Sequence, residues 1–190
     1  EDNLVLQAAR LLQRQGGEGL GARLHLVKRI PVAAGLGGGS SDAAAALRGL
    51  NELWGLRLGR AALRPLAAAL GSDVPFFLAD AAFAVGRGRG ERCEPLAVSW
   101  SLCAVLVVPE ARLTSRAIYE GWDQAHAEPA RFGLTDPPPS IRIVLHALHN
   151  GSLGELAEGL WNDLEPEAIR RCPVIAQICS RLRELGCVKA

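Results

Sequence analysis

The sequence predicts an α+β fold, on three observations. Apolar residues recur at helical spacing near the start and again beyond residue 140, short apolar runs bounded by Gly and Pro lie between, and a glycine-rich loop joins one such run to an alanine-rich helix. At 190 residues, 49% hydrophobic and 22% charged, the chain can bury a sizeable core, enough for one compact domain or one domain with part of another.

Asp2 or Asn3 can cap a first helix running to about Gln15, with Gly16 and Gly17 ending it. From Arg23 to Ile30, Leu24 and Leu26 alternate with polar neighbours until the pattern slips at Val27, which predicts a half-buried strand entering a turn at Pro31. After the loop Ala34 to Ser41, the residues Ala43, Ala46, Leu47, Leu50 and Trp54 fall on one helix face, whose alanines leave it slim enough to pack closely on a sheet. Another helix runs from about Gly59 to Leu70 and stops at Gly71, with Pro65 expected to shorten or kink it. Gly71-Ser72-Asp73-Val74-Pro75 is a tight turn. Phe76 to Val85 and Leu102 to Val108 read as buried strands joined across a turn at Gly86 to Gly90. Thr114 to Asp123 is helical, Thr135 to Pro139 with its three prolines is the linker candidate, and helices fill Ile141 to Asn150, Leu153 to Trp161 and Glu165 to Leu185.

Composition narrows the function classes. Lys plus Arg number 21 against 20 Asp plus Glu, so a net charge of +1 provides no broad field for steering nucleic acid or an anionic membrane, and any anion must be bound locally. The longest apolar stretches, such as Leu102 to Pro109, fall far short of the roughly 20 residues that span a bilayer, and the expected compartment is the cytoplasm. Cys93, Cys103, Cys172, Cys179 and Cys187 form no CxxC pair and read as reduced, mostly buried thiols. His146 and His149 share a helix face but have no ligand-like neighbours, so they read as a solvated or core pair and no metal site is expected of them. Met is absent, even at position 1, and the only lysines are Lys28 and Lys189; the chain reads as lacking its native start.

The chemistry concentrates at the glycine loop. A strand, then Gly35-Leu36-Gly37-Gly38-Gly39, then Ser40 and Ser41 opening a helix, place free backbone N–H groups around one point, and such a point binds phosphate. Glycine allows positive φ and leaves no Cβ between backbone and anion, while the two serines offer hydroxyls to phosphate oxygen or Mg²⁺. The alternative is a flexible turn with no ligand. A P-loop is excluded, because counting from Gly35 its second glycine position holds Ser40 and no lysine follows. A dinucleotide fingerprint is excluded too, since its third glycine is also Ser40 and no acidic residue stands in Leu56 to Arg60.

The run Pro31-Val32-Ala33-Ala34-Gly35-Leu36-Gly37-Gly38-Gly39-Ser40-Ser41-Asp42-Ala43-Ala44 closely resembles the ATP-binding motif of the GHMP kinases. Its triple glycine before Ser-Ser-Asp-Ala-Ala resembles in particular the branch that phosphorylates 4-diphosphocytidyl-2-C-methyl-D-erythritol. The likeness continues through Asn51 to Leu56, Leu70 to Phe77 and Trp161 to Glu165. It implies a GHMP-kinase-like two-domain fold, with residues 1–135 as the N-terminal ATP-binding domain and 140–190 as the start of the C-terminal domain. It further implies ATP and Mg²⁺ as cofactors, with Pro31 to Ser41 cradling the nucleotide and Asn3 and Lys28 near it. By the same resemblance Asp73 is the catalytic base and Tyr119 stacks on the cytosine of a small-molecule substrate, a cytidine diphosphate-linked methylerythritol.

The residues themselves leave other roles open: a helix cap for Asn3, a solvated strand end for Lys28, a turn cap for Asp73 beside the rigid Pro75, and an amphipathic core position for Tyr119. Another GHMP kinase, of the homoserine or mevalonate type, is the alternative within the class. A non-catalytic nucleotide-binding module is the alternative outside it. The family pattern extends past both ends, with a lysine-bearing segment before Glu1 and a second glycine motif after Ala190. The expectation is therefore a chain incomplete at both ends, inert as an isolated polypeptide and exposing apolar surface where absent strands would pair.

Overall fold

The computed structural model describes residues 3–17, 19–32, 34–111, 113–126 and 141–190, and it is α+β as expected. The described residues gather into two compact units, one of Glu1–Val32 with Leu36–Ala97 and the other of Ala33–Gly35 with Val98–Ala190. Asp2, Ala33 and the expected linker Thr135 to Pro139, with the domain boundary placed there, lie outside the described residues.

The first unit is built on four helices. α1 (Leu4–Leu12) is capped by Asn3, whose Oδ1 accepts from the Val5 N–H at 2.9 Å, and it runs into an irregular turn where Gly16 takes φ +117°. α2 (Gly38–Leu53), α3 (Arg60–Leu70) and α4 (Val74–Ala79) follow. Ala8, Leu12, Ala43, Ala44, Leu47, Ala67 and Val74 form the fully enclosed centre of one core, with Leu63 and Leu78 beside them. The slim alanine face of α2 does bury, but it packs on helices α1, α3 and α4 where a sheet was expected. Pro65 stays inside α3 because it is exposed, so the carbonyl it deprives of a partner, that of the equally exposed Ala61, can turn to water.

Phe76 to Val85 is a helix and then a strand, where one strand was expected. Val74–Ala79 coils because Pro75 stands at the second helical position, where its fixed φ fits and its missing N–H costs nothing, and an apolar run this short carries no period to decide otherwise. Asp80 then takes φ +56° and ends the helix. β1 (Phe83–Arg87) pairs antiparallel with β2 (Arg92–Leu96), Phe83 opposite Leu96 and Arg87 opposite Arg92, across a turn holding Gly88 and Gly90 at positive φ.

The other two expected strands do not form. Arg23 to Ile30 and Leu102 to Val108 have no ladder partner among the described residues, and a strand exists only through bonds to a neighbour. Their apolar side chains are accordingly exposed, Val27 at 62% and Val105 at 68%.

In the second unit α5 (Ser115–Ala125) starts on the Thr114 hydroxyl, which accepts from Ala117 N–H at 3.3 Å. α6 (Ile141–Asn150) and α7 (Leu153–Gly159) pack together, and the Trp100 indole N–H donates to the Leu148 carbonyl at 2.7 Å. The single helix expected over Glu165 to Leu185 is two, α8 (Glu165–Arg171) and α9 (Val174–Glu184). Pro173 bars helical backbone from Cys172, which sits at φ −138°, ψ 80°. α5 meets α8 where the Glu167 carboxylate, buried and held by Arg170 and Arg171, lies against Gly121. Its carboxyl is held down at about 2, first by the Arg170 and then by the Arg171 hydrogen bonds. All five cysteines are free, as read, but only Cys93 and Cys172 are buried, fewer than expected. His146 and His149 lie on α6, where the His146 ring bonds the Asn150 amide and has Glu155 at 3.9 Å. No helix among the described residues is long and apolar enough to cross a membrane.

Candidate active site

The glycine loop meets α2 at Gly37, the residue that sets the geometry. Gly37 caps the helix at φ +65°, ψ 16°, left-handed backbone that a side chain disfavours. The first intrahelical bond runs from Ser41 N–H to the Gly37 carbonyl at 2.9 Å, so the amides of Gly38, Gly39 and Ser40 stand ahead of the ladder. Three adjacent donors thus stand at the positive end of a sixteen-residue helix, an arrangement that favours negative charge. The Ser41 hydroxyl donates to the Gly38 carbonyl at 3.2 Å, so of the two loop serines Ser40 is the one whose hydroxyl has no partner among the described residues.

Close packing accounts for glycine at Gly37 and Gly38, while Gly39 has room for a methyl group. A Cβ on Gly37 would stand 2.8 Å from the ring of Phe77, one on Gly38 2.9 Å from the Ile30 side chain, and one on Gly39 3.6 Å from Leu4. α1, the extended segment ahead of the loop and α4 therefore all press on the start of α2. Asn3 and Lys28 are brought to this place as well: Asn3 precedes Leu4, and the Lys28 ammonium reaches back over Gly38 to pair with Asp42. Pro31 and Val32 are exposed, Ala34 and Leu36 are half-buried, and Gly35 turns at φ +71° with open space around it.

Asp73 is the first residue of the turn that opens α4. It is exposed, and its carboxylate caps no helix N–H; among the described residues Oδ1 accepts from the Ser72 hydroxyl alone, at 3.3 Å. One helical turn on, roughly 6 Å along the axis, is Phe77. α4 thus links the carboxylate to the loop, since its far side grips Gly37. The β1–β2 turn stands behind Asp73, where a Cβ on Gly90 would be 3.9 Å from Oδ1. The Asp73 charge is felt on β2: the Cys93 thiol is pushed up by burial, opposed by Arg64, and pushed further by Asp73 and Glu91. Beside α2 a hollow of about 360 Å³ is lined by Ser41, Phe76, Phe77 and the Arg48–Asp80 ion pair at 3.6 Å.

Tyr119 lies on α5 in the second unit, 56% exposed, so the core position left open for it is not the one it takes. The residues to which the sequence reading gave no role of their own are Asp42, Phe77 and Ile30. Asp42 and Lys28 are fourteen positions apart with no local pattern joining them, and Phe77 was hidden in a run that reads as strand.

Residues 3–84 match the family described as GHMP kinases N terminal domain. The whole chain aligns at 41% identity with a 4-diphosphocytidyl-2-C-methyl-D-erythritol kinase of Pelotomaculum thermopropionicum, covering 63% of that protein. Proteins of the same name from Leifsonia xyli subsp. xyli and Hyphomonas neptunium match at 41% and 44% identity over 93% and 96% of the chain, which covers 58% of each. A crystal structure of a 4-(cytidine 5'-diphospho)-2C-methyl-D-erythritol kinase superposes with a TM-score of 0.70 at 36% identity, over 97% of this chain and 62% of that one. The chain thus spans about three-fifths of the length of the relatives it matches, and it belongs to the GHMP kinase family.

Proposed function

We propose that this chain carries the nucleotide site and the base of a kinase that moves the γ-phosphoryl group of ATP to the 2-hydroxyl of 4-diphosphocytidyl-2-C-methyl-D-erythritol. The observation that carries the proposal is the pairing, through the short helix α4, of an open helix N-terminus with an exposed, uncapped carboxylate. The substrate class comes from the relatives' names. The domain reading, residues 1–135 and 140–190, is part of the same proposal.

The residues fit a polyphosphate. Amides of Gly38, Gly39 and Ser40 donate to phosphate oxygens, and the packing of Phe77 and Ile30 against Gly37 and Gly38 holds the loop in shape, which limits reorganisation during transfer. The Ser40 hydroxyl would be a protein ligand for Mg²⁺ bound with ATP, which needs few of them, and the ion would supply charge neutralisation on the phosphates. Asp73 orients the substrate hydroxyl and accepts its proton as the new O–P bond forms and the bond to the leaving ADP breaks. Tyr119 supplies an aromatic face for cytosine.

The test is direct. The full-length gene product is incubated with Mg-ATP and the diphosphocytidyl substrate, and products are read by mass and ³¹P NMR. A new monoester on the 2-hydroxyl, with ADP formed one for one, is expected. ATP binding without transfer to this alcohol would leave a nucleotide site and refute the substrate; no ATP binding would refute the site. Tyr119→Ala is expected to raise KM for the cytidine substrate and leave KM for ATP alone.

A further inference from the structure

Asp42 is a carboxylate on the second turn of α2, close behind the three amides that face an incoming anion. A negative charge there suits the helix dipole but repels phosphate. It is answered by one cation. Lys28 Nζ donates to Asp42 Oδ2, with side-chain exposures of 32% and 23%, and the ammonium lies 3.5 Å from where a Cβ on Gly38 would stand. The pair is half out of solvent, so its charges are incompletely screened. Neither side chain has another bonding partner among the described residues, and Lys28 is one of only two lysines in the chain.

We propose that Lys28 acts on nucleotide binding through Asp42: the ammonium cancels the carboxylate at the mouth of the loop, and Asp42 is the positioning residue that holds the ammonium there and sets the affinity for polyphosphate. The proposal rests on the nucleotide site assigned above. It differs from a lysine that simply bonds the phosphates, because it makes the effect of losing Lys28 depend on whether Asp42 is present.

Charge accounting gives distinct outcomes for three variants. Lys28→Met leaves Asp42 uncompensated beside the phosphates and is expected to weaken ATP binding about tenfold, with the defect shrinking in 0.5 M KCl, where the Debye length falls to about 4 Å from about 10 Å at 0.1 M. Asp42→Asn releases the ammonium toward the phosphates and tightens binding severalfold. Lys28→Met with Asp42→Asn restores neutrality and binds within about threefold of the parent. ATP dissociation constants are measured by calorimetry on the chain, with thermal melting to confirm that each variant folds. A double variant as weak as Lys28→Met would mean that Lys28 bonds the nucleotide directly and would overturn the proposal. Weakening by Asp42→Asn would overturn it in favour of a structural clasp or a metal ligand. A parent chain that fails to bind ATP at all would instead defeat the nucleotide site itself.

Discussion

Replacing Gly37 by alanine tests whether the loop meets its ligand in the conformation described. The methyl group brings two separate costs. At φ +65° a residue with a Cβ is disfavoured by about 1–2 kcal/mol. The Cβ would also lie 2.8 Å from two ring carbons of Phe77, when carbon atoms pack at about 3.5–4.0 Å, so the ring must retreat by roughly 1 Å. Phe77 is packed against the helical core and edge-on to Phe76, centroids 5.2 Å apart, and forcing extra volume into such a contact costs about 1–3 kcal/mol. Together that is about 2–5 kcal/mol, divided between lost stability and a displaced loop. If 2 kcal/mol falls on the loop, ATP binding drops about thirtyfold. Melting temperature and calorimetric ATP affinity measure the two shares. Gly37→Ala combined with Phe77→Leu separates the causes, since the smaller side chain relieves the contact and leaves the backbone cost. Valine in place of alanine, branched at Cβ, is expected to do worse. A Gly37→Ala protein that melts and binds ATP like its parent would refute both the close contact and the role of the loop.

Asp73→Asn keeps shape and removes the base, so turnover is expected to fall about 10²-fold or more with ATP affinity unchanged; parental turnover would remove Asp73 from the mechanism. Glu167 is held at about 2 against the usual 4.5, so its ionised form stabilises the fold above pH 4.5 and that contribution drains away as pH falls toward 2. The melting gap between the parent and Glu167→Gln is therefore widest near neutrality and closes across that window; a gap independent of pH would show that the charge is not what matters. Gly121→Ala puts a Cβ 1.8 Å from Glu167 Oε1, so it is expected to lower the melting temperature although alanine is the better helix former. A stabilised Gly121→Ala protein would contradict the α5–α8 contact.

What was legible in the sequence is what is local. The glycine loop, the helix it opens and the cap at Asn3 are each decided within a few residues, by backbone freedom, by donors left over at a helix end and by one side chain two positions from the N–H it accepts. α4 and the break at Pro173 were less visible, because a six-residue apolar helix carries too few positions to show its period, and a continuous helical pattern masks a proline unless its effect on the preceding residue is followed through. Arg23 to Ile30 and Leu102 to Val108 have the side chains of strands and lack the partners, and no pattern within a segment can report the presence of a neighbour.

Gly121 shows where local reasoning reverses sign. In the sequence it is a glycine in the middle of a helical run, a loss of about 1 kcal/mol against alanine with nothing to explain it. In the fold, α8 brings the Glu167 carboxylate so close that any side chain at Gly121 would take its place. That carboxylate is buried only because two arginines of its own helix hold it, Arg170 three residues on and Arg171 four, a spacing that is plain in the sequence but there looks like an ordinary exposed ion pair. Exposed pairs contribute little, whereas this one, pressed against a bare backbone, joins α5 to α8. The helix bearing Tyr119 is the one it holds, so the same contact that crowds Gly121 also steadies the helix on which Tyr119 lies. Loosening it should therefore reach the cytidine substrate without touching the nucleotide loop: in Gly121→Ala, KM for the cytidine compound is expected to rise while ATP affinity stays at the parental value, and a change in the opposite order would place Tyr119 outside the substrate site.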